Sequence, residues 1–471
     1  MSDIDTEPSA SKPTPTMTMK PTALSNSNKP QGTMPNTSSS RSSMQLPQCK
    51  SFPSRRVDRR GNSHFQSLTR WLLHNQIYLS FNLMAVLLFV HSCLPKARPY
   101  TSMFFSLSHY NPSTGNYGAG SGDFFFLAHC VILFTGLRAC FIEYLLEPLA
   151  KHWGVVKKKE LTRFSEQAWL LCYYSIFWTL GVYLYCTSDY FLAPREMFTN
   201  WPTRELPGIT KAYILGQWAF WLQQLIVINI EERRKDHWQM LAHHVVTILL
   251  IYTSYTLHLT TVANLVLILM DVVDIFFPIA KCLKYLGFTT LRDIMFGIFM
   301  LSWFLARHVF YILNLYHIWK YMPETINPGC YYKSQDGLII GPTPLPEQGW
   351  SHMLEAFFNP SGTICYSDGI RWGFLGALGF LQVLTISWFL LILQVAIRVF
   401  KGIGADDIRS EDEDEGELEE KENKPQGDGP LNPEAWKRSA NVRGNATSSG
   451  VGLPGSWDRK ELLGRIGCEK H

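Results

Sequence analysis

Eight long, mostly apolar stretches follow one another along the middle of the chain. They fall at about 72–94, 124–147, 166–187, 211–230, 237–257, 260–281, 293–319 and 372–399. A helix needs roughly 20 consecutive apolar residues to cross a bilayer, and each stretch is close to that length. The pattern predicts an all-α polytopic membrane protein with about eight transmembrane helices, numbered here as spans one to eight. Because no soluble domain interrupts them, any chemistry is expected among the spans.

The two ends of the chain have a different composition. Residues 1–65 are rich in Ser, Thr, Pro, Asn and Lys, and residues 403–471 contain an acidic run. Segments with so few apolar residues cannot form a core, which predicts disordered tails. Between the tails we expect two leading helices and their loop over 66–160, and the main helical unit over 161–402.

Lys and Arg are concentrated in alternate loops. Clusters precede span one, lie between spans two and three, four and five, and six and seven, and follow span eight. Positively charged loops face the cytosol, and with eight spans all five clusters fall on one side. The pattern therefore predicts that both termini are cytosolic. The net charge of +4 is small and dispersed, so a nucleic-acid partner is not indicated.

Four ionisable residues interrupt two consecutive spans. His243 and His244 lie in span five, and Asp271 and Asp274 lie in span six. At 1.5 Å per residue, His243 is roughly 12 Å from the cytosolic end of its span, Asp274 roughly 10 Å and Asp271 roughly 15 Å. The two pairs therefore share one depth on antiparallel neighbours. Thr247 lies one turn beyond the histidines and extends the polar stripe.

Ionisable side chains within the hydrocarbon are costly and by default indicate a functional site. A neutral imidazole held by a carboxylate can act as a general base or as a nucleophile. One alternative is a set of polar groups that only link helices. Another is a metal site, but His237 is the only further histidine nearby and no second histidine box follows, so we expect no metal.

Further polar residues lie near the expected site. The cytosolic cluster Arg233, Arg234 and Lys235 can bind phosphates, although such residues occur at the cytosolic rim of any membrane protein. Arg307 and His308 lie roughly 22 Å from Arg292 along span seven, which predicts a position towards the lumenal half. Contact with a substrate head group and contact with a neighbouring helix both remain open for this pair. For Arg138 and Glu143 of span two we expect structural roles.

Cys330 and Cys365 share the long loop between the last two spans. That loop is predicted to face the oxidising lumen, which favours a disulfide, with two free thiols as the alternative. In the C-terminal tail, Ser410 precedes three acidic residues. This context suits an acidophilic kinase, so phosphorylation of Ser410 is a hypothesis, and an unmodified solvating tail is its alternative.

The histidine region also carries a family resemblance. The segment EERRKDHWQMLAHHVVT, from Glu231 to Thr247, followed by LMDVVD ending at Asp274, resembles the Lag motif of ceramide synthases in the TLC-domain family. TRFSEQAW, from Thr162 to Trp169, is similar to the opening of that domain, and the Arg-His pair of span seven resembles fungal members. The resemblance covers about 160–400. No homeobox-like segment lies between spans one and two, which also points to the fungal type.

The resemblance implies N-acylation of a sphingoid long-chain base by a fatty acyl-CoA in the endoplasmic reticulum membrane. It implies a barrel-like core of six helices, spans two to seven, whose acyl tunnel is closed on the lumenal side. His243 and His244 would be the catalytic pair, with an acyl-imidazole or a general-base step, and Asp271 and Asp274 would orient and polarise them. Acyl-CoA would be a co-substrate, with no cofactor.

The same resemblance implies partners beyond the substrates and membrane lipids. Family members form homo- or heterodimers, and yeast members take a small single-span accessory subunit. Two functions of other classes remain as alternatives: a non-catalytic TLC-domain protein for lipid sensing or trafficking, and a transporter that uses the His/Asp cluster as a proton relay. Transporters often show inverted repeats and broken helices, and the sequence shows no convincing repeat.

Overall fold

The computed structural model describes residues 63–230, 236–334, 338–346 and 351–400. Each predicted span coincides with a helix or with a helical stretch that contains an irregular turn. The single helices are α1 (Ser63–Cys93), α5 (Lys158–Cys186), α6 (Gly208–Ile230), α7 (His237–Thr256) and α13 (Asp368–Phe400). The interrupted stretches are α3 (Asp123–Cys140) with α4 (Glu147–His152), α8 (Thr260–Asp271) with α9 (Val273–Tyr285), and α10 (Thr289–Trp303) with α11 (Tyr311–Thr325). Short helices α2 (Arg98–Phe105) and α12 (Ser351–Phe358) lie in the loops.

Within the described ranges, six helical stretches are long and apolar enough to cross a membrane. They begin at His74, Asp123, Lys158, Thr260, Thr289 and Asp368. The predicted class, an all-α polytopic membrane protein, is therefore confirmed, whereas the count of eight spans stays a prediction. Helices α6 and α7 take the places of spans four and five but are not among the six. These two helices also carry much of the polar lining described below.

Two of the helical irregularities coincide with the candidate site residues. The break between α8 and α9 falls at Val272, so Asp271 ends one helix and Asp274 lies in the first turn of the next. A π-helical segment, Phe304–Phe310, joins α10 to α11 and contains Arg307. Single π turns inside α-helices occur frequently at functional sites.

Short strands, which the sequence did not predict, lie in the loops at one end of the helices. One antiparallel sheet has the order β1 (Tyr110–Asn111), β2 (Asn116–Gly118), β3 (Glu205–Leu206). The other has the order β5 (Ile339–Thr343), β4 (Gly329–Lys333), β6 (Ile364–Tyr366). Cys330 lies directly opposite Cys365 in the second sheet, and a disulfide joins the two residues.

These loops form what we call the distal cap, comprising residues 94–122, 187–207, 326–334, 338–346 and 351–367. The guanidinium of Arg204 donates to the carbonyl oxygens of Gly362 at 2.7 Å and Tyr331 at 2.8 Å. Lys333 pairs with Glu205 at 2.8 Å. Bonds from Lys333 and from side chains of the first loop lower the pKa of Glu205 to about 2. Contacts between residues 91 to 158 positions apart thus tie the three loops together.

A fully buried ion pair lies beneath the distal cap. Nζ of Lys211, at the start of α6, is 2.6 Å from Oδ1 of Asp123, the first residue of α3. Lys211 also donates to the carbonyl oxygens of Ser108 and Gly118, and Tyr255 donates its hydroxyl proton to Asp123. Because a buried charge is tolerated only with such partners, the pair holds α3, α6 and α7 in one arrangement.

The helices around α7 define the setting of the site. Helix α7 packs against α6, α8 and α13, and α5 packs against α8 and α9. The resemblance places the core in spans two to seven, but α13, which is span eight, also contacts α7 directly. The last helix therefore contributes a wall to the histidine region.

Candidate functional site

The two histidines on α7 point in different directions, as adjacent helical positions require. Their ring centroids are 5.6 Å apart and their planes are inclined by 82°. His244 is 5% exposed, and its Nδ1 lies 2.8 Å from the carbonyl oxygen of Met240. His243 is partly exposed, and its Nδ1 is buried without a hydrogen-bond partner. One imidazole is therefore fixed by the backbone, and the other keeps a ring nitrogen without a partner.

Tryptophans form the walls around these imidazoles. The indole of Trp221 on α6 contacts both rings, with centroid distances of 5.4 Å to His243 and 5.0 Å to His244. Trp388 on α13 contacts His243 from another helix at 5.4 Å. The polar site is thus lined by large apolar surfaces, which strengthens electrostatic interactions within it.

Asp271 is fully buried and is held by α6. Gln217 donates from Nε2 to Oδ2 of Asp271 at 2.6 Å, and its Oε1 accepts a bond of 2.9 Å from the hydroxyl of Tyr173 on α5. The second oxygen of Asp271, Oδ1, is buried and has no partner. A relay of three side chains therefore joins α5, α6 and α8.

Asp274 pairs with span seven. The guanidinium of Arg307 donates to Oδ2 of Asp274 at 2.7 Å and to the carbonyl oxygen of Met270 at 2.8 Å. It also lies over the ring of Trp303, 4.1 Å from its centroid. Arg307 therefore lies beside the start of α9. The prediction that Arg307 lies towards the lumenal half stays a prediction.

The hydrogen-bond partners of the two aspartates also differ from the expectation. Among the described side chains, neither aspartate is hydrogen-bonded to either histidine; the carboxylates bond to Gln217 and Arg307 instead. The expected direct orientation of the imidazoles by these carboxylates is therefore absent from this structure. The tertiary structure brings the amide of Gln217 and the guanidinium of Arg307 closer to the carboxylates than the histidines. Spacing along the chain cannot reveal either partner.

The remaining predicted residues fall in three groups. Thr247 is buried, and its hydroxyl has no partner. His308 is partly buried, and its Nδ1 lies 2.9 Å from Nε2 of Gln382 on α13. The others lie outside the described residues: Arg233, Arg234, Lys235 and Ser410. No group of three or more His, Cys, Asp or Glu residues placed to hold a metal ion occurs in the parts of the chain that the structure describes.

Arg138 and Glu143 of span two take different positions. Arg138 lies 4.0 Å from Glu166 on α5, which fits the structural role expected for it. Glu143 is exposed on the π-helical segment between α3 and α4. The two residues therefore do not share one environment.

The sequence reasoning missed Gln217 and the two tryptophans. Gln217 carries the same signal as the histidines, because it is a polar residue within an apolar stretch. Trp221 and Trp388 carry no such signal, since tryptophan is common in membrane helices. Only their contact with His243 distinguishes them from the other tryptophans.

Comparison with known proteins identifies the family to which the chain is similar. The family model described as the TLC domain matches residues 163–394, close to the range expected from the resemblance. Ceramide Synthase FUM18 of Gibberella moniliformis is 41% identical over 411 residues, which cover 86% of this chain and 94% of that protein. Sphingosine N-acyltransferase lag1 of Schizosaccharomyces pombe is 36% identical over 336 residues, covering 71% of this chain and 79% of that protein.

The chain is also similar to a more distant relative. Ceramide synthase LAG1 of Saccharomyces cerevisiae is 28% identical over 317 residues, covering 66% of this chain and 70% of that protein. The helical membrane architecture, the TLC match and these identities together define the class. The chain belongs to the ceramide synthase family of TLC-domain membrane proteins.

Proposed function

We propose that the protein is a ceramide synthase that transfers a fatty acyl group from acyl-CoA to the amine of a sphingoid base, giving ceramide and CoA. The observation that carries this proposal is the histidine pair of α7, in which one imidazole is fixed and the other keeps an unpartnered ring nitrogen. The relatives named above are called ceramide synthases or sphingosine N-acyltransferases.

The geometry supports a division of labour between the histidines. A carbonyl oxygen only accepts hydrogen bonds, so Nδ1 of His244 carries the proton that is donated to Met240. In the neutral ring, Nε2 of His244 then holds the lone pair and can act as a base. His243 makes no such bond through Nδ1 and is partly exposed, so we assign it the role of nucleophile.

The reaction balances with these two groups. A lone pair of His243 attacks the thioester carbon, the C–S bond breaks, and CoA leaves as the thiol with the proton released by the imidazole. The amine of the sphingoid base then attacks the acyl-imidazole and forms the amide bond. His244 accepts the proton of the amine and returns it to His243 as that ring departs. No cofactor is needed for either step.

The remaining residues act by positioning. The bonds Gln217–Asp271 and Arg307–Asp274 hold α6, α8, α9 and the π-helical segment around α7. The distal cap closes one end of the helices, so we propose that the acyl chain extends towards the cap and CoA remains near the start of α7. In this orientation the cap is lumenal, both termini are cytosolic, and the membrane is that of the endoplasmic reticulum. A homo- or heterodimer, with a small single-span accessory subunit, belongs to the same proposal.

The test uses the full chain purified into lipid nanodiscs with a sphingoid base and radiolabelled acyl-CoA. We expect ceramide from the wild type and at least a 100-fold loss in His243→Ala and His244→Ala. With acyl-CoA alone, wild type and His244→Ala should accumulate an acyl adduct detectable by intact mass, and His243→Ala should not. His152→Ala, an exposed histidine at the end of α4, is the matched control.

Two results would overturn parts of the proposal. Ceramide formation at the wild-type rate by both histidine variants would remove the catalytic assignment. A wild type that binds sphingoid base but forms no ceramide, with or without a co-expressed single-span subunit, would favour the non-catalytic lipid-sensing alternative.

A further inference from the structure

Three buried polar atoms without hydrogen-bond partners among the described residues belong to His243 and to the two indoles that contact its ring. They are Nδ1 of His243, Nε1 of Trp221 and Nε1 of Trp388. Both tryptophans are nearly inaccessible, at 5% and 6% exposure. Buried polar groups in proteins almost always have a partner, because an unsatisfied buried donor destabilises the folded state. Two such donors against one imidazole therefore call for an explanation.

The two indoles approach His243 from different helices. Trp221 belongs to α6 and Trp388 to α13, and α7 packs against both helices. Each indole lies 5.4 Å from the imidazole centroid, with interplanar angles of 73° and 79°. At this distance perpendicular rings are in van der Waals contact. An acyl group bonded to His243 would therefore be carried by a ring that both indoles contact.

An indole suits one particular task in this place. Its Nε1–H can donate a hydrogen bond and cannot accept one, so it cannot compete with the histidines as a base. During acyl transfer, negative charge develops on the former carbonyl oxygen at each tetrahedral stage. Donors that are already in place and shielded from water stabilise that oxygen without reorganisation, and removing one typically costs 10²–10³-fold in rate.

Other tryptophans supply the necessary comparison. Buried indole nitrogens without partners also occur at four further positions: Trp169, Trp178, Trp218 and Trp303. Trp218 lies one turn before Trp221 on α6, but its ring stacks on Tyr252, with centroids 5.2 Å apart. An unpartnered indole is therefore not sufficient evidence by itself. What distinguishes Trp221 and Trp388 is their shared contact with His243.

We propose that the indole N–H groups of Trp221 and Trp388 are the oxyanion donors for acyl transfer at His243; this inference rests on the proposed function. When the imidazole bonds to the thioester carbon, the C=O electron pair moves onto oxygen and is held by these donors. The pair returns as the C–S bond breaks and the thiol leaves. The same donors serve the second tetrahedral stage, in which the amine attacks and the imidazole departs.

The test removes the N–H groups while keeping the ring shape. Trp221 and Trp388 are replaced singly by 3-benzothienylalanine, in which sulfur takes the place of the indole nitrogen, and in parallel by Phe. We expect kcat to fall at least 30-fold in each benzothienyl variant, while KM for acyl-CoA changes less than threefold. The matched control is Trp218 replaced in the same two ways, with an expected loss in kcat below threefold.

The readouts separate this inference from the proposed function and from simple misfolding. Melting temperature and size-exclusion profile identify variants that fold, and the rate of adduct formation with acyl-CoA alone reports the first step directly. If the benzothienyl variants keep wild-type kcat, the oxyanion role is wrong while ceramide synthesis stands. If the Trp218 control loses as much kcat as the other two, the effect is packing and the inference is also wrong. Absence of ceramide in the wild type would instead contradict the proposed function.

Discussion

Arg307 donates a hydrogen bond of 2.7 Å to Asp274 across the interface between the π-helical segment and the start of α9. The same nitrogen donates to the carbonyl oxygen of Met270, next to the break between α8 and α9. One guanidinium thus satisfies a carboxylate and a backbone carbonyl where two helical stretches are irregular. A helical irregularity leaves backbone groups without their regular hydrogen bonds, so it persists only where the surrounding structure supplies other partners.

Breaking this ion pair is expected to destabilise the protein. Arg307→Gln and Asp274→Asn should each cost about 3 kcal/mol, the lower end of the range for a buried pair, because the Asp274 side chain is 26% exposed. The double variant should cost less than the sum, since neither charge is then left unpaired. Thermal unfolding in detergent measures the effect. Arg371→Gln is the control, because its partner Asp368 is 67% exposed, and an equal loss there would contradict the argument.

Replacing Gln217 should impair catalysis more than folding. Gln217→Leu removes both bonds of the relay and leaves Asp271 buried with neither oxygen paired. We expect at least a tenfold loss in ceramide formation, measured in the nanodisc assay. Asn229→Leu, on the same helix but exposed and bonded to the carbonyl oxygen of Leu225, should stay within twofold of wild type. Wild-type activity in Gln217→Leu would show that the relay has no role in the reaction.

The disulfide of the distal cap should contribute to stability without taking part in the chemistry. Cys365→Ser opens a loop of 35 residues and leaves Cys330 reduced. For a loop of this length the expected loss is about 4 kcal/mol, because the unfolded chain regains conformational freedom. Non-reducing alkylation followed by mass spectrometry should find both thiols protected in the wild type. Cys93→Ser, at an exposed free cysteine, should leave the melting temperature unchanged.

His258 should make the stability of the distal end depend on pH. Burial, with a further contribution from Arg204, lowers the pKa of His258 to about 4, below its ordinary value of 6.5. The unfolded chain therefore binds the proton first, so stability is full above about pH 6.5 and falls as the pH decreases to about 4. The change expected from this group is about 3 kcal/mol.

The variant that tests this dependence is His258→Asn. His258 has a positive φ of 56°, a conformation that Asn tolerates better than most residues. We expect melting temperatures between pH 6.5 and 4 to vary less in this variant than in the wild type. His152→Asn is the control at an exposed histidine. An unchanged pH profile in His258→Asn would show that another group is responsible.

Much of the helical architecture and part of the candidate site can be predicted from the local pattern of apolar and polar residues. Runs of apolar residues predict the helices because a bilayer imposes both their length and their composition. The sequence also predicted that His243 and Asp271 lie on neighbouring helices, and α7 packs against α8. The sequence did not predict the pairing of Arg307 with Asp274, because no local pattern shows which residue of another span lies beside a guanidinium.

The sequence by itself determined that this is a helical membrane protein with an ionisable cluster on two spans, since both conclusions depend only on spacing and polarity. Only the tertiary structure decided the partners of that cluster. Asp271 bonds to Gln217, Asp274 to Arg307, and His243 lies between two indoles from α6 and α13. These contacts join residues from 22 to 145 positions apart. Helix packing selects such partners, and the order of residues along one span cannot specify them.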